Sequence, residues 1–478
     1  MNRPIVRLYG FVAVLFALLV AFTSRWTVFE ASSLRQNPLN ARNLLEQQTI
    51  DRGPIVARDG TVLARSVPQP GGTYERTYPA GEEFGHPLGY YFTTLGSSGL
   101  ERFRNGPLTG QTGTGVQRIL DQLEGKRRRG SKIVTSLDPK AQRVAEEQLA
   151  GHQGAVVALD PRTGAVEVMA STPGYDPNAL RSTRTYSRLA TDSKNRPLIN
   201  RAVQFGYAPG STFKVVTATA AIDTGAYTRE SLVNGRNDIR ISGVPLQNDE
   251  NETFGPITLT EALAKSVNTV WAQVAEHLGS QTMGRYMERF GFDKKPQLDY
   301  PSDEMSSSGE YLGTRLLRPT NSRVDVGRMG IGQDKLAVTA LQMSEVAAAV
   351  ANRGTLMVPH ITSRIVDSEG QTVQRIDPRV QSVVMKPSTA AEVTAMMEAV
   401  VNEGTGTSAQ IPGVRVAGKT GTAETQIGNT INNVWFIAFA PAANPRVAIA
   451  TTLQGVPGQG AAFAAPVAKA VIERLLHD

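Results

Sequence analysis

The chain opens on an uncharged stretch from Leu8 to Ser24, LYGFVAVLFALLVAFTS, apolar on every side of a helical projection and flanked by Arg3, Arg7 and Arg25. A helix on a soluble core keeps a polar stripe, and this one has none. The pattern predicts a single membrane span, slightly short of the ~20 residues needed and completed by snorkelling of the flanking arginines. Positive charge on the short N-terminal side keeps that end in the cytoplasm and places everything after Trp26 beyond the membrane. A cleaved signal peptide is the competing reading, but Ala21-Phe22-Thr23 is a poor small-x-small cleavage site.

Beyond the span the periodicity changes twice. Residues 26–150 are polar, Gly-rich between Gly106 and Gly115, and carry the basic run Lys126, Arg127, Arg128, Arg129. They predict a small, loosely regular, non-catalytic region whose basic run is a solvated face. From residue 151 a period of two takes over. GAVVALD and AVEVMAS, either side of Pro161-Arg162-Thr163-Gly164, predict a β-hairpin. Helical spacing then appears over 211–222 after Pro209-Gly210, over 258–278 behind the capping box Thr258-x-x-Glu261, over 338–352 before Gly354, and over 389–402 before Gly404. Three strand patterns follow, VRVAGKTGTAE, NVWFIAFAP and RVAIATTLQ, and an Ala-rich helix ends at Leu476. Strands at both ends with helices between them predict an α+β domain on one antiparallel sheet, the first hairpin meeting the last three strands. The expected division is 1–25 for the N-terminus and anchor, 26–150 for the small domain and 151–478 for the catalytic body.

Composition narrows the chemistry. The 478 residues contain no Cys, which removes disulfides, thiol nucleophiles, iron–sulfur clusters and Cys-bound zinc. His86, His152, His277, His360 and His477 are scattered and form no His-Glu-x-x-His, which argues against zinc hydrolysis. No metal or organic cofactor is expected. A net charge of +7 fits an anionic partner such as a membrane surface, an acidic polymer or nucleic acid, without choosing between them.

Nucleophile signatures are sparse. There is no Gly-x-Ser-x-Gly, and a single Ser-x-x-Lys, Ser211-Thr212-Phe213-Lys214. The preceding Pro209-Gly210 turn puts Ser211 at a helix N-terminus and Lys214 one turn on, so an amine reaches the hydroxyl where no imidazole is available. On this motif alone, a Ser capping a helix with a solvated Lys is an equal reading. Ser266-Val267-Asn268 comes next, and then Lys419-Thr420-Gly421-Thr422, which opens a strand. A second Ser-x-Asn, Ser193-Lys194-Asn195, precedes the Ser-x-x-Lys and is out of order. Gly413-x-x-x-x-Gly418-Lys419-Thr420 also matches the phosphate-binding loop letter for letter, but that loop must open a helix, and the alternation of Val414 and Val416 reads as a strand.

Ser-x-x-Lys, Ser-x-Asn and Lys-Thr-Gly in this order form a set similar to that of the penicillin-recognising serine acyl transferases. The chain resembles the class B penicillin-binding proteins more widely, in GAVVALDPRTGAVEVMAS, NRAVQFGYAPGSTFK, TLTEALAKSVNTVWAQVA, Gly330-Ile331-Gly332-Gln333 and GKTGTAE with Trp435-Phe436. Arg52-Gly53-Pro54-Ile55 resembles the start of the family's pedestal domain, whereas Ala57-Arg58-Asp59-Gly60 departs from the usual Asp-Arg-Asn-Gly.

The resemblance implies a five-stranded antiparallel sheet flanked by helices, plus an all-helical part. It implies a D,D-transpeptidase in which Ser211 attacks the D-Ala-D-Ala carbonyl of a stem peptide and an amine of a neighbouring stem captures the acyl-enzyme. Lys214 is the implied base and Ser266 a proton relay. Asn268 is implied to bind the substrate's amide, and Lys419, Thr420, Gly421 and Thr422 its terminal carboxylate. The N–H groups of Ser211 and Thr422 form the implied oxyanion hole. Implied partners are peptidoglycan stem peptides, β-lactams, the membrane, a glycosyltransferase and other elongation or division proteins, with no nucleic acid. A D,D-carboxypeptidase, a β-lactamase and a non-catalytic cell-wall scaffold remain the alternatives. Tyr207, Phe213, Trp271 and Trp435 are expected in the core and Lys265 on the surface.

Overall fold

Helix α1 (Arg3–Ser24) buries none of its side chains. At 1.5 Å per residue its 22 residues reach about 33 Å, enough for a hydrocarbon layer of ~30 Å. The uncharged run is short by itself, and the helix gains its length by extending back over Arg3 and Arg7, whose stems can lie along the apolar surface. Among the described residues it is the one helix long and apolar enough to cross a membrane. The computed structural model describes residues 3–25, 47–111, 129–424 and 431–477. Trp26, Gly113, Gly115 and the basic residues Lys126, Arg127 and Arg128 lie outside them.

The segment after α1 is more regular than its polar composition predicts. It supplies strands β1 (Ile55–Val56), β2 (Val62–Gln69), β3 (Thr73–Thr77) and β4 (Lys132–Thr135). Beneath them, buried Glu101 accepts from Arg52 Nε and Arg76 Nε, both at 2.6 Å. Helix α2 (Pro139–Leu149), capped by Asp138, then leads to the expected hairpin, β5 (Gln153–Leu159) and β6 (Val166–Thr172).

The helical part contains α3 (Lys214–Asp223), buried along its whole length, and α4 (Leu259–Ala264), α5 (Asn268–Arg289) and α6 (Ala340–Ala351). The single helix expected over 258–278 is therefore two. Thr258 caps α4 as predicted, its Oγ1 accepting from Glu261 N–H at 3.1 Å. The helix ends because Ser266 turns left-handed, at φ +58°, and because Thr405 N–H takes the Ala264 carbonyl at 3.0 Å. Local propensity favours continuing the helix, and a tertiary contact ends it.

Next, β7 (Thr362–Val366) and β8 (Thr372–Arg375) return to the first sheet, whose order is β8-β7-β4-β1-β2-β3. Helix α7 (Pro387–Asn402) precedes β9 (Ala417–Glu424), β10 (Ile431–Ala440), β11 (Val447–Pro457) and the closing helix α8 (Gly460–Leu476). The second sheet has the order β9-β10-β11-β5-β6 and is antiparallel throughout. This is the α+β architecture expected, with the first hairpin meeting the last three strands.

The period of two in β10 divides the core. Val434, Phe436, Ala438 and Ala440 face a cluster shared with α2 and α8, while Trp435, Ile437 and Phe439 face the cluster that holds α3 and α6. Tyr207, Phe213 and Trp271 are buried in that second cluster, and Lys265 is exposed and paired with Glu261. The expected border at 150/151 does not coincide with the packing. The apolar face of α2 belongs to the core of the second sheet, and the β7–β8 hairpin extends the first. Each segment follows the surface that buries it rather than its place in the chain.

Candidate active site

Ser211 lies in the 3₁₀ turn Gly210–Phe213 rather than at the α-helix's own first residue, which is Lys214. The tight turn still brings Lys214 Nζ to 2.9 Å from Ser211 Oγ. Across the cleft, the break between α4 and α5 points the Ser266 carbonyl and the Asn268 side chain at the same amine. Lys214 Nζ donates to Ser266 O at 2.7 Å and to Asn268 Oδ1 at 2.7 Å, and lies 3.2 Å from Ser266 Oγ. A continuous helix would have spent the Ser266 carbonyl on its own ladder. The left-handed residue frees it.

The Lys214 side chain is fully buried. Burial first, and then the charge of Lys419, hold its amine well below the usual lysine range, with Asp249 acting in the opposite direction. The hydrogen-bond pattern agrees. A neutral amine has two N–H donors and one lone pair. Ser266 O and Asn268 Oδ1 can only accept, so they take the two donors and leave the lone pair for the Ser211 hydroxyl.

Strand β9 forms the opposite wall. Lys419, also fully buried, donates to Thr420 O at 3.0 Å and to Thr420 Oγ1 at 3.3 Å. Burial pushes its ammonium down to about 7, with Asp249 again opposing the shift. Thr420 Oγ1 also meets Thr405 Oγ1 at 2.6 Å, tying the wall to the segment that ends α4. Gly421 passes so close to the turn that a Cβ there would lie 2.6 Å from Pro209 O. Thr422 runs beside Gly210: a Cβ on Gly210 would sit 2.4 Å from Thr422 O and 3.0 Å from Thr422 N. The main chains that carry the Ser211 and Thr422 N–H groups are thus adjacent, as two donors to one oxygen must be. Thr422 Oγ1 accepts from Gly460 N–H at 3.3 Å, at the start of α8.

All the residues singled out from the three motifs therefore line one cleft. Asn268 is more committed than expected, since its Oδ1 holds Lys214 and its Nδ2 donates to Gln247 O at 3.2 Å. The Gly418-Lys419-Thr420 segment lies in an edge strand and opens no helix, so the phosphate-loop match is a coincidence of letters.

Several contributors escaped the sequence. Gly332 O accepts from Gly210 N–H at 3.0 Å, which gives the Gly-Ile-Gly-Gln text a structural use. Trp435 Nε1 donates to Ala208 O at 2.9 Å and steadies the approach to Ser211. Thr405, Asp249 and Gln459 sit in loops without periodicity, and no local pattern marks them. Among the described residues no group of three His, Asp or Glu is placed to hold a metal ion.

Comparison with known proteins places this geometry in context. Residues 154–473 match the penicillin binding protein transpeptidase domain, and residues 52–133 match the penicillin binding protein A dimerisation domain. The peptidoglycan D,D-transpeptidase PbpA of Mycolicibacterium smegmatis is 33% identical over 501 aligned positions, covering 100% of both chains. The peptidoglycan D,D-transpeptidase MrdA of Escherichia coli K12 is 30% identical, covering 80% of this chain and 68% of that one. The fold also matches the ceftriaxone acyl-enzyme complex of penicillin-binding protein A from Mycobacterium tuberculosis. There the TM-score is 0.81 at 31% identity, over 91% of this chain and 100% of that one.

Proposed function

The chain belongs to the class B penicillin-binding proteins, and we propose that Ser211 is the nucleophile through which it cross-links peptidoglycan stem peptides and is acylated by β-lactams. It is a peptidoglycan D,D-transpeptidase. The single observation behind the residue assignment is the buried Lys214 amine, held by two acceptors with its nitrogen 2.9 Å from Ser211 Oγ.

Lys214 takes the hydroxyl proton as Ser211 Oγ attacks the carbonyl between the last two D-Ala residues. The N–H groups of Ser211 and Thr422 receive the developing oxyanion, where one donor is typically worth ~3 kcal/mol. Lys419, with Thr420 and Thr422 either side of Gly421, binds the terminal carboxylate that substrate and β-lactam share. Ser266 Oγ, 3.2 Å from Lys214 Nζ, passes the proton to the leaving amine. Asn268 exchanges Gln247 for the substrate's amide while its Oδ1 keeps hold of Lys214. An amine of a second stem then attacks the ester and restores Ser211.

The apolar α1 is a single membrane anchor. Arg3 and Arg7 on its short side favour a cytoplasmic N-terminus, with the catalytic body beyond the cytoplasmic membrane. The region 26–150 serves as a pedestal and, together with the β7–β8 hairpin, presents the sheet on which elongation or division proteins dock. A glycosyltransferase is the partner proposed to supply the glycan.

The test is labelled penicillin with Ser211→Ala, read by mass spectrometry. The variant should keep the far-UV spectrum and melting transition of the parent and carry no adduct. A stable adduct on the folded variant would falsify the assignment.

A further inference from the structure

Transpeptidation needs two substrates of opposite charge at their recognition ends. The donor presents a carboxylate, for which the cleft holds Lys419. The acceptor presents a primary amine, which in water near neutral pH is an ammonium, and the Lys419 ammonium of the cleft repels it. A carboxylate at the mouth would offset that repulsion, and the loop carrying Asp249 supplies one.

The loop is fastened to both walls. Asn268 Nδ2 donates to Gln247 O at 3.2 Å, and Asn248 Oδ1 accepts from Thr269 N–H at 3.0 Å, so the segment sits on the first turn of α5. Asn248 Nδ2 donates to Gly235 O at 3.0 Å and to Glu252 O at 2.9 Å, closing a tight reversal in which Glu250 and Asn251 are left-handed, with φ of +51° and +58°. From this reversal Asp249 Oδ2 accepts from Gln459 Nε2 at 3.0 Å, one residue before the Gly460 that donates to Thr422. The loop 247–249 thus bridges the Asn268 side and the Thr422 side, with Asp249 at its Thr422 end. The Asp249 side chain is exposed, and Oδ1 has no protein partner among the described residues. Its field reaches the floor, since it raises the pKa of both Lys214 and Lys419.

We propose that Asp249 receives the ammonium group of the acceptor stem peptide and so selects amines over water for capture of the acyl-enzyme. The inference rests on the transpeptidase reading. In the capture step the bound ammonium gives one proton to solvent. The neutral nitrogen then attacks the ester carbon, the C–N bond forms and the C–Oγ bond breaks, and Ser211 Oγ regains a proton from that nitrogen through Lys214. Asp249 acts before these events, as a positioning residue that raises the local amine concentration.

The experiment measures partition, which does not depend on how fast the acyl-enzyme forms. Detergent-solubilised full-length protein is acylated with a stem-peptide thioester, and the ratio of amide product to hydrolysed product is read by mass spectrometry across a series of D-amino acid amines. Asp249→Asn should lower the ratio about two- to fivefold at low salt, the range of an exposed ion pair. The loss should fade at ~1 M salt, where screening acts within ~3 Å. Asp249→Glu should recover most of the ratio, and methanol, a neutral nucleophile, should partition equally in every variant. Glu250→Gln, on the same loop, should leave the ratio unchanged. An unchanged ratio in Asp249→Asn, a loss that extends to methanol, or an equal loss in Glu250→Gln overturns the inference. Absence of any acyl-enzyme in the parent protein would instead overturn the transpeptidase reading on which it rests.

Discussion

Replacing Gly210 by Ala tests whether the oxyanion geometry depends on contact between the Ser211 turn and β9. Gly210 has φ +52°, where an Ala side chain costs roughly 1–2 kcal/mol. The added Cβ would also lie 2.4 Å from Thr422 O, and β9 must retreat by about 0.6 Å to bring that contact to 3.0 Å. The turn cannot yield instead. Gly332 O holds the Gly210 N–H at 3.0 Å, and Gly332 packs against the Gly210 carbonyl from the other side. Overpacking of this kind costs roughly 1–3 kcal/mol, so the whole substitution should destabilise the fold by about 2–5 kcal/mol. Catalysis should suffer more. A displacement approaching 1 Å can cost on the order of 10²-fold, and loss of one oxyanion donor ~10²- to 10³-fold. The assay is the second-order rate of acylation by labelled penicillin, with melting followed on the same samples. Gly225→Ala is the control: its φ is +76°, but nothing lies within 4 Å of the added methyl. That variant should lose about 1–2 kcal/mol of stability and acylate normally. If Gly210→Ala acylates within a few-fold of the parent, contact between turn and strand does not set the oxyanion site.

Three further outcomes are expected. Because burial pushes the Lys419 ammonium down to about 7 in the free enzyme, kcat/KM for a carboxylate-bearing thioester should decline as pH rises through that value. A bound carboxylate favours the ammonium, so the decline in kcat should lie at higher pH, and coincident limbs in the two profiles would refute the role of Lys419. Burial pushes Glu345 up to about 8, and its Oε1 has no partner among the described residues. An acid raised in the fold keeps its proton longer than in the unfolded chain, so its contribution is full below about 4.5 and is lost as pH rises through about 8. Glu345→Gln should therefore melt higher than the parent at pH 8, with the gap closing towards pH 4.5, and a gap constant with pH would contradict this. Burial works to raise Glu101, but Arg76 and Arg52 outweigh it and keep the carboxylate ionised. Removing that charge leaves two buried guanidinium groups uncompensated. Glu101→Gln should cost about 3–5 kcal/mol in denaturant titrations, most of it in the small domain. A loss below about 1 kcal/mol would mean that the arginines find other partners.

Much of this molecule was legible along the chain because the signals are local. Apolar character on all sides marks α1, and short, nearly continuous apolar runs mark β5, β6, β10 and β11, since each strand is buried on both faces over most of its length. The ordered trio of motifs named the residues that meet in the cleft. Composition fixed what could not occur, since without cysteine a serine or another oxygen nucleophile is the natural choice for acyl transfer.

Tertiary structure decided whatever depends on contacts distant in sequence. A local reading continues the helix through Ser266, because nothing nearby opposes it. The break comes from Thr405, over 130 residues later, and it turns the Ser266 carbonyl and Asn268 towards Lys214. The hairpin at 362–375 joins the first sheet for the same reason: the unpaired edge of β4 accepts it there. The lowered basicity of Lys214 also belongs to the assembled cleft. A lysine in an isolated Ser-x-x-Lys segment is solvated and cationic, and it becomes a base only when the surrounding chain removes water and places a second cation beside it.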